Sequence, residues 1–133
     1  MAEFIMKNLV KEAGLEKDFF IESAATSTEE IGNDMYPPAK AKLRSEGIPF
    51  SPRAARQIRP ADYDTYDLLI GMDSENLYYM NRCWTDTEGK IHLLLDFTSS
   101  KGEVADPWYS GNFDRAYDDI VRGCKGLLKK LSL

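Results

Sequence analysis

The feature that most constrains the fold is the alternation of short apolar runs with segments of helical periodicity. The apolar runs span residues 19–25, 66–72 and 91–95. Each is too short for a globular helix and is bounded by turn-forming residues, so we interpret all three as buried strands. Strands that alternate with helices form a parallel sheet with right-handed crossovers and helices on both faces. The pattern therefore predicts an α/β fold with about three strands and four to five helices.

Amphipathic patterns mark the helices, which we predict at residues 2–13, 37–46, 74–82 and 113–131. Gly14 and Gly47 are expected to end the first two helices, and Asp73 to cap the third. The first helix differs from the others because Met1 already lies in its first turn. No Ser, Thr, Asp or Asn precedes it to satisfy the free N–H groups. Its amino end therefore has the pattern of a helix that was cut off at the front.

Composition limits the partners and the cofactors. The chain of 133 residues fits one domain, and its net charge of −5 argues against nucleic acid or an anionic membrane as the main partner. No apolar stretch is long enough to span a membrane and the start is not a signal peptide, which favours a cytoplasmic protein. With two cysteines outside any CxxC pair and His92 as the single histidine, no metal site or other cofactor is expected. Cys124 lies on the apolar face of the last helix and is predicted to be core.

A carboxylate followed by a proline and two aromatics lies just past the third strand, as Asp106-Pro107-Trp108-Tyr109. Open α/β sheets place their chemistry outside the carboxyl ends of the strands. Asp106 could therefore act as a general acid, with Trp108 and Tyr109 holding a ring-shaped substrate. The alternative is that Asp-Pro is merely a turn and that the aromatics pack at the rim.

Three arginines, Arg53, Arg56 and Arg59, fall in an irregular segment between the second helix and the second strand. Such a cluster can hold an anion. More often the guanidinium groups are solvated or paired with carboxylates. The pattern alone leaves both interpretations open.

Five segments of the chain form a recognisable series. They are MAEFIMKNLVKEAGL at residues 1–15, SAAT at 23–26, SPRAARQ at 51–57, YDLLIGMD at 66–73 and DPWYSGNF at 106–113. In these segments, in their order and over nearly its whole length, the chain resembles the low-molecular-weight protein tyrosine phosphatases. The resemblance implies a flavodoxin-like fold and hydrolysis of phosphotyrosine, in a protein or a small aryl phosphate, through a cysteinyl-phosphate. In that scheme Asp106 is the general acid, Trp108 and Tyr109 flank the phenyl ring, and Ser23 supports the phosphate loop.

The sequence departs from the family at the nucleophile. Family members carry a cysteine, five residues and an arginine directly before the Ser-Pro that opens the first helix. Here Gly89 stands six positions after Cys83, and Lys130 six positions after Cys124. We therefore expect residues 1–133 to form a single phosphatase-like domain that is truncated at its amino end, lacks the central first strand and is inactive. Two further departures are Glu29, where many relatives have an aromatic, and Arg53, where relatives often have a histidine.

Two alternatives and one consequence follow from that departure. The chain could instead be a non-catalytic binding or oligomerising module, or, with less support, a related arsenate reductase. In the family's sheet the absent strand lies between the strands at residues 19–25 and 66–72, so its loss exposes two inner edges. We therefore expect either a homo-oligomer that pairs these edges or a sheet that closes across the gap.

Overall fold

The computed structural model describes residues 1–26, 35–52, 56–104 and 112–131 of the chain. These ranges contain five α-helices, two 3-10 helices and two strands. The α-helices are α1 (Ala2–Glu12), α2 (Pro37–Ser45), α3 (Asp62–Thr65), α4 (Ser74–Cys83) and α5 (Phe113–Leu131). The strands are β1 (Leu69–Gly71) and β2 (Ile91–Leu93), and the 3-10 helices are Glu16–Asp18 and Leu94–Phe97.

The two strands form a parallel pair connected through α4. Leu69 lies opposite Ile91, and Gly71 lies opposite Leu93. Outside these strands, one further parallel bridge among the described residues joins Ala25 to the segment after α2, at Gln57. The parallel sheet with a helical crossover is the arrangement that the alternating sequence pattern predicts.

Helices cover both faces of this sheet, as predicted. Leu68 and Ile70 point toward one face and pack against a core formed mainly by α1, α2 and α5. Leu69 and Ile91 point toward the opposite face, where they pack against Tyr63 of α3, Met80 of α4 and Trp84. The alternation along β1 follows from the period of two in a strand, and a strand that is apolar on both faces reads as a continuous apolar run.

Two of the about three predicted strands form a ladder among the described residues, and residues 19–25 do not. Phe19 has extended backbone angles, φ −127° and ψ 134°. Within the segment only Ala25 is bridged, and its N–H donates to the carbonyl of Arg56 at 2.6 Å. An extended segment becomes a strand only when a neighbour supplies partners along its length. No such neighbour lies beside residues 19–24 in the part of the chain that the structure describes.

The strand predicted at residues 91–95 ends two residues early. Leu94 and Leu95 are buried as expected, at 2% and 3% exposure, but they begin a 3-10 helix that packs against α5. The Asp96 carboxylate accepts a hydrogen bond from the Leu93 N–H at 3.1 Å and so stabilises the turn. The apolar run correctly indicated burial, but burial alone does not distinguish a strand from a short helix. Similarly, β1 is three residues long where the pattern suggested seven.

The predicted helix ends are confirmed. Gly14 and Gly47 follow α1 and α2 with φ of +73° and +70°, a conformation that glycine adopts without steric cost. The Asp73 side chain accepts a hydrogen bond from the Asn76 N–H at 2.8 Å and caps α4. Met1 stands at the N-cap of α1 without a side-chain hydrogen bond to the helix. None of the helices in the described ranges is both long and apolar enough to cross a membrane.

One edge of β1 is open among the described residues. The Leu69 N–H donates to the Lys90 carbonyl at 3.0 Å, so Ile70, one residue later, directs its N–H and carbonyl away from β2. The sheet of the described residues contains only β1 and β2, so residues 19–26 do not pair with β1 there. Association of two copies through this edge stays a prediction.

The two cysteines occupy contrasting environments. Cys124 is 2% exposed within the core of α5, as predicted, and burial raises the pKa of its thiol to about 12. Cys83 is exposed at the end of α4. Because the thiolate is the reactive species, Cys124 should be protected as long as the chain is folded.

We expect an aromatic disulfide reagent such as DTNB to label one thiol per folded chain and two in denaturant. The measurement is absorbance of the released thiolate at pH 8. In Cys83→Ser the folded chain should release almost none. Rapid labelling of two thiols without denaturant would contradict the burial of Cys124.

Candidate active site

The carboxyl end of β1 is joined to residues 19–26 through Asn76 of α4. The Asn76 carbonyl oxygen accepts from the Met72 N–H at 3.0 Å. Its amide nitrogen is 3.5 Å from the Thr26 hydroxyl, at the limit of a hydrogen bond. Gly71 allows this approach, because a Cβ there would lie 3.0 Å from the Asn76 Cβ. Asn76 was not among the predicted site residues, although an asparagine three residues after the helix cap Asp73 was a usable signal.

The segment after the second 3-10 helix returns to this same edge. The Val104 N–H donates to the Met72 carbonyl at 2.9 Å, and Val104 is buried. The Glu103 carboxylate accepts from the Ser74 N–H at the amino end of α4, and the hydrogen bonds from Ser74 lower the pKa of Glu103. The chain is thus fixed at the carboxyl end of β1 immediately before residue 105.

The chain is also fixed at Asn112 and Phe113, where α5 begins. The Asn112 side chain accepts from the Arg115 N–H at 3.0 Å and so caps the first turn of α5. Phe113 contacts the ring of Tyr36, just ahead of α2, at 6.0 Å between ring centroids. Asp106, Trp108 and Tyr109 lie outside the described residues, as do Glu29 and Arg53.

Ser23, the predicted loop-supporting residue, contacts the amino end of α1. Its hydroxyl donates to Oε1 of Glu3 at 2.6 Å, and the other oxygen of Glu3 accepts from the Lys7 ammonium at 2.7 Å. Glu3 is 6% exposed, which makes it one of two buried charged residues in the described ranges. Sequence reasoning missed it, because a Glu beside an apolar helix face looks like the start of a solvated face. An acidic residue in the first turn of an uncapped helix was the available signal.

The other buried charge, Asp62, pairs with one of the three arginines. The Arg56 guanidinium donates to both oxygens of Asp62, at 3.0 and 3.4 Å, and the Arg59 N–H donates at 2.8 Å. Burial alone would raise the pKa of Asp62, but these hydrogen bonds bring it below its usual 3.8. The carboxylate-paired interpretation is therefore confirmed for Arg56.

Residues 19–22 border an open groove of about 400 Å³ beside α1. Lys7 and Val10 of α1 form one wall, and Phe20 and Glu22 contribute to the other. Phe20 is 74% exposed and stacks on Tyr66, whose hydroxyl donates to the Glu22 carboxylate. In residues 1–26, 35–52, 56–104 and 112–131, no group of three or more His, Cys, Asp or Glu side chains could hold a metal ion.

A short parallel sheet with helices on both faces, and with polar side chains collected at its carboxyl edge, defines a protein of the α/β class. The family model described as low molecular weight phosphotyrosine protein phosphatase matches residues 1–133. The chain belongs to the low-molecular-weight phosphotyrosine protein phosphatase family.

Individual relatives agree with that assignment. The chain is 36% identical to the low molecular weight protein-tyrosine-phosphatase YfkJ of Bacillus subtilis, over 98% of this chain and 86% of the relative. It is 33% identical to the Homo sapiens low molecular weight phosphotyrosine protein phosphatase, over 98% of this chain and 85% of that protein. The crystal structure of YfkJ superposes with a TM-score of 0.94 at 34% identity, covering 98% of this chain and 84% of that one.

Proposed function

We propose that this domain hydrolyses phosphotyrosine, in proteins or as small aryl phosphates, through a cysteinyl-phosphate intermediate with Asp106 as general acid. The observation that carries the proposal is the hydrogen bond from the Val104 N–H to the Met72 carbonyl at 2.9 Å. It holds the chain at the carboxyl end of β1 two residues before Asp106, where ligands of α/β sheets bind. Family membership and the DPWYSGNF sequence at residues 106–113 support the same assignment.

The proposed reaction has two steps. A cysteine thiolate attacks phosphorus, and the P–O bond to the phenol breaks as Asp106 gives its proton to the departing oxygen. Water then attacks the phosphocysteine, loses a proton to the Asp106 carboxylate and breaks the S–P bond, which releases phosphate and restores the thiolate. Trp108 and Tyr109 hold the phenyl ring during both steps.

Neither cysteine of residues 1–133 fits the role of the nucleophile in this reaction, since neither is followed six positions later by an arginine. We propose that a Cys-x5-Arg loop ahead of Met1 supplies it, and that residues 1–133 alone are inactive. The amino end of α1 would then lie beside the phosphate, where helix N–H groups and the helix dipole favour an anion. We also propose that the protein is cytoplasmic and that residues 1–133 form a single domain.

One observation favours a non-catalytic binding module as the second candidate, namely the absence of a Cys-x5-Arg motif from residues 1–133. The arsenate reductase alternative has less support. It needs thiols that exchange disulfides, but burial raises the pKa of Cys124 to about 12 and leaves it 2% exposed.

The decisive experiment compares residues 1–133 with the same chain extended by a strand and a Cys-x5-Arg-Ser-Pro segment ahead of Met1. We expect p-nitrophenyl phosphate hydrolysis from the extended chain and none above background from residues 1–133. The matched control replaces the added cysteine with serine, which removes the nucleophile and leaves the fold intact. A folded extended chain without turnover would reject the enzyme and favour the binding module.

A further inference from the structure

Glu103 connects two segments that are far apart in the chain. Its carboxylate accepts a hydrogen bond from the N–H of Ser74, 29 positions earlier, at the amino end of α4. The backbone and the side chain of Ser74 both lower the pKa of Glu103, which favours the ionised carboxylate. A hydrogen bond to a charged acceptor is stronger than one between neutral groups. The carboxylate is therefore held in one place although Glu103 lies at the surface.

The helix α4 does not need Glu103 in order to begin where it does. The Asp73 side chain already accepts the Asn76 N–H at 2.8 Å, and Glu75 already places a negative charge in the first turn. Both features suit the amino end of a helix, where free N–H groups and the helix dipole favour acceptors and negative charge. The hydrogen bond to Ser74 therefore contributes mainly to the position of the segment that carries Glu103.

That segment is attached to the carboxyl edge of the sheet at two consecutive residues. Val104, next to Glu103, is 8% exposed and donates its N–H to the Met72 carbonyl at 2.9 Å. One point of attachment fixes a position, whereas two neighbouring points also fix the direction in which the chain continues. The direction of the chain at residue 104 consequently depends on the side chain of Glu103.

We propose that Glu103 is a positioning residue for Asp106, which follows it by three residues in the sequence. This inference rests on the proposed function, in which Asp106 gives a proton to the departing phenol oxygen. Proton transfer requires the acid to lie within hydrogen-bond reach of that oxygen, so a small shift of the acid lowers the rate. The loss should therefore depend on how much the leaving group needs a proton.

Two substitutions remove the hydrogen bond from opposite sides. Glu103→Ala removes the acceptor. Ser74→Pro removes the donor and suits the helix, because proline is favoured at the first helical position and Asp73 before it is already extended, with φ −143° and ψ 175°. We expect each variant of the extended chain to lower kcat/KM for phosphotyrosine by about 5- to 50-fold, less than the roughly 100-fold of a 1 Å displacement. The double variant should lose no more than either single variant, because both remove the same contact.

The leaving group separates positioning of the acid from general damage. Dinitrophenolate leaves without a proton, so the same variants should keep kcat/KM for dinitrophenyl phosphate within about twofold of wild type. Glu103→Gln keeps a neutral acceptor and should lose less on phosphotyrosine than Glu103→Ala. Glu75→Gln, in the same turn of α4 as Ser74, is the matched control and should behave as wild type on both substrates.

A second measurement uses residues 1–133 alone and needs no turnover. Hydrogen exchange followed by NMR reports how often the Val104 N–H separates from the Met72 carbonyl. Glu103→Ala should speed this exchange by about 10-fold, the effect of losing one hydrogen bond to a charged group. The Tm should change little, because Glu103 is exposed.

The outcomes assign each failure to one of the two proposals. Equal losses on the two substrates, wild-type kcat/KM for phosphotyrosine in Glu103→Ala, or unchanged exchange at Val104 would each overturn the role of Glu103. The proposed function would stand in all three cases, because the extended wild-type chain still turns over. An extended wild-type chain that folds without turnover would reject the phosphatase itself, and the positioning of its general acid would fail with it.

Discussion

Asp106→Asn in the extended chain should lower kcat for phosphotyrosine by about 100- to 10,000-fold, the range that general acid catalysis supplies. Asparagine matches the size of aspartate but cannot deliver a proton as the P–O bond breaks. The phenol of tyrosine has a pKa near 10, so its oxide is a poor leaving group without that proton. Steady-state kinetics on free phosphotyrosine at pH 5–7 measures the loss.

The identity of the leaving group makes this prediction specific to proton donation. A dinitrophenolate leaves readily without protonation, so Asp106→Asn should lose much less activity on dinitrophenyl phosphate than on phosphotyrosine. Asp118→Asn, an exposed carboxylate on α5, is the matched control and should behave as wild type on both substrates. Equal losses on the two substrates would mean that Asp106 has a structural or binding role and is not the acid.

The elements that could be predicted from the sequence are those whose signals are local. Gly14 and Gly47 end helices because of their own backbone freedom, and Asp73 caps α4 through a hydrogen bond to Asn76, three residues away. The long apolar face of the last helix predicted residues 113–131, and α5 has these bounds. In each case the residues that determine the structure lie within one or two turns of one another.

The mispredicted strands depend on contacts that are distant in sequence. Leu94 and Leu95 leave the extended conformation where they meet α5, about thirty residues later. Residues 19–25 have strand-like composition, but a ladder needs partners that composition does not reveal. Tertiary packing against α5 overruled propensity at Leu94 and Leu95, whereas residues 19–24 have no neighbouring strand in the described part of the chain.

The candidate site shows the same division. Ser23 was identified through the family resemblance, but its partner Glu3 is 20 positions away, and Asn76 reaches Thr26 across 50 positions. No periodicity connects such pairs. The resemblance supplied the predicted roles of Asp106, Trp108 and Tyr109, which lie outside the described residues. The structure supplied the hydrogen bonds that join Ser23 to Glu3 and Thr26 to Asn76.

Gly126→Ala should destabilise the fold, although the same change at an ordinary helix position stabilises by up to about 1 kcal/mol. Gly126 lies within α5 where the helix crosses the 3-10 helix Leu94–Phe97. A Cβ at this position would overlap the backbone carbonyl oxygen of Phe97. Backbone cannot rotate aside as a side chain can, so α5 would have to move away from the core. We expect a loss of about 1–3 kcal/mol in the free energy of unfolding, typical of overpacking.

A graded series distinguishes this close approach from a general intolerance of α5 to substitution. At Gly123 a Cβ would meet the Leu94 side chain, 2.5 Å from its Cγ. Leu94 can change rotamer, so Gly123→Ala should cost less than Gly126→Ala. Lys125→Ala, exposed on the same helix, should change stability very little. Urea unfolding followed by circular dichroism gives all three values. A Gly126→Ala chain that is more stable than wild type would show that α5 and the Leu94–Phe97 helix do not approach this closely, because helix propensity would then outweigh any overlap.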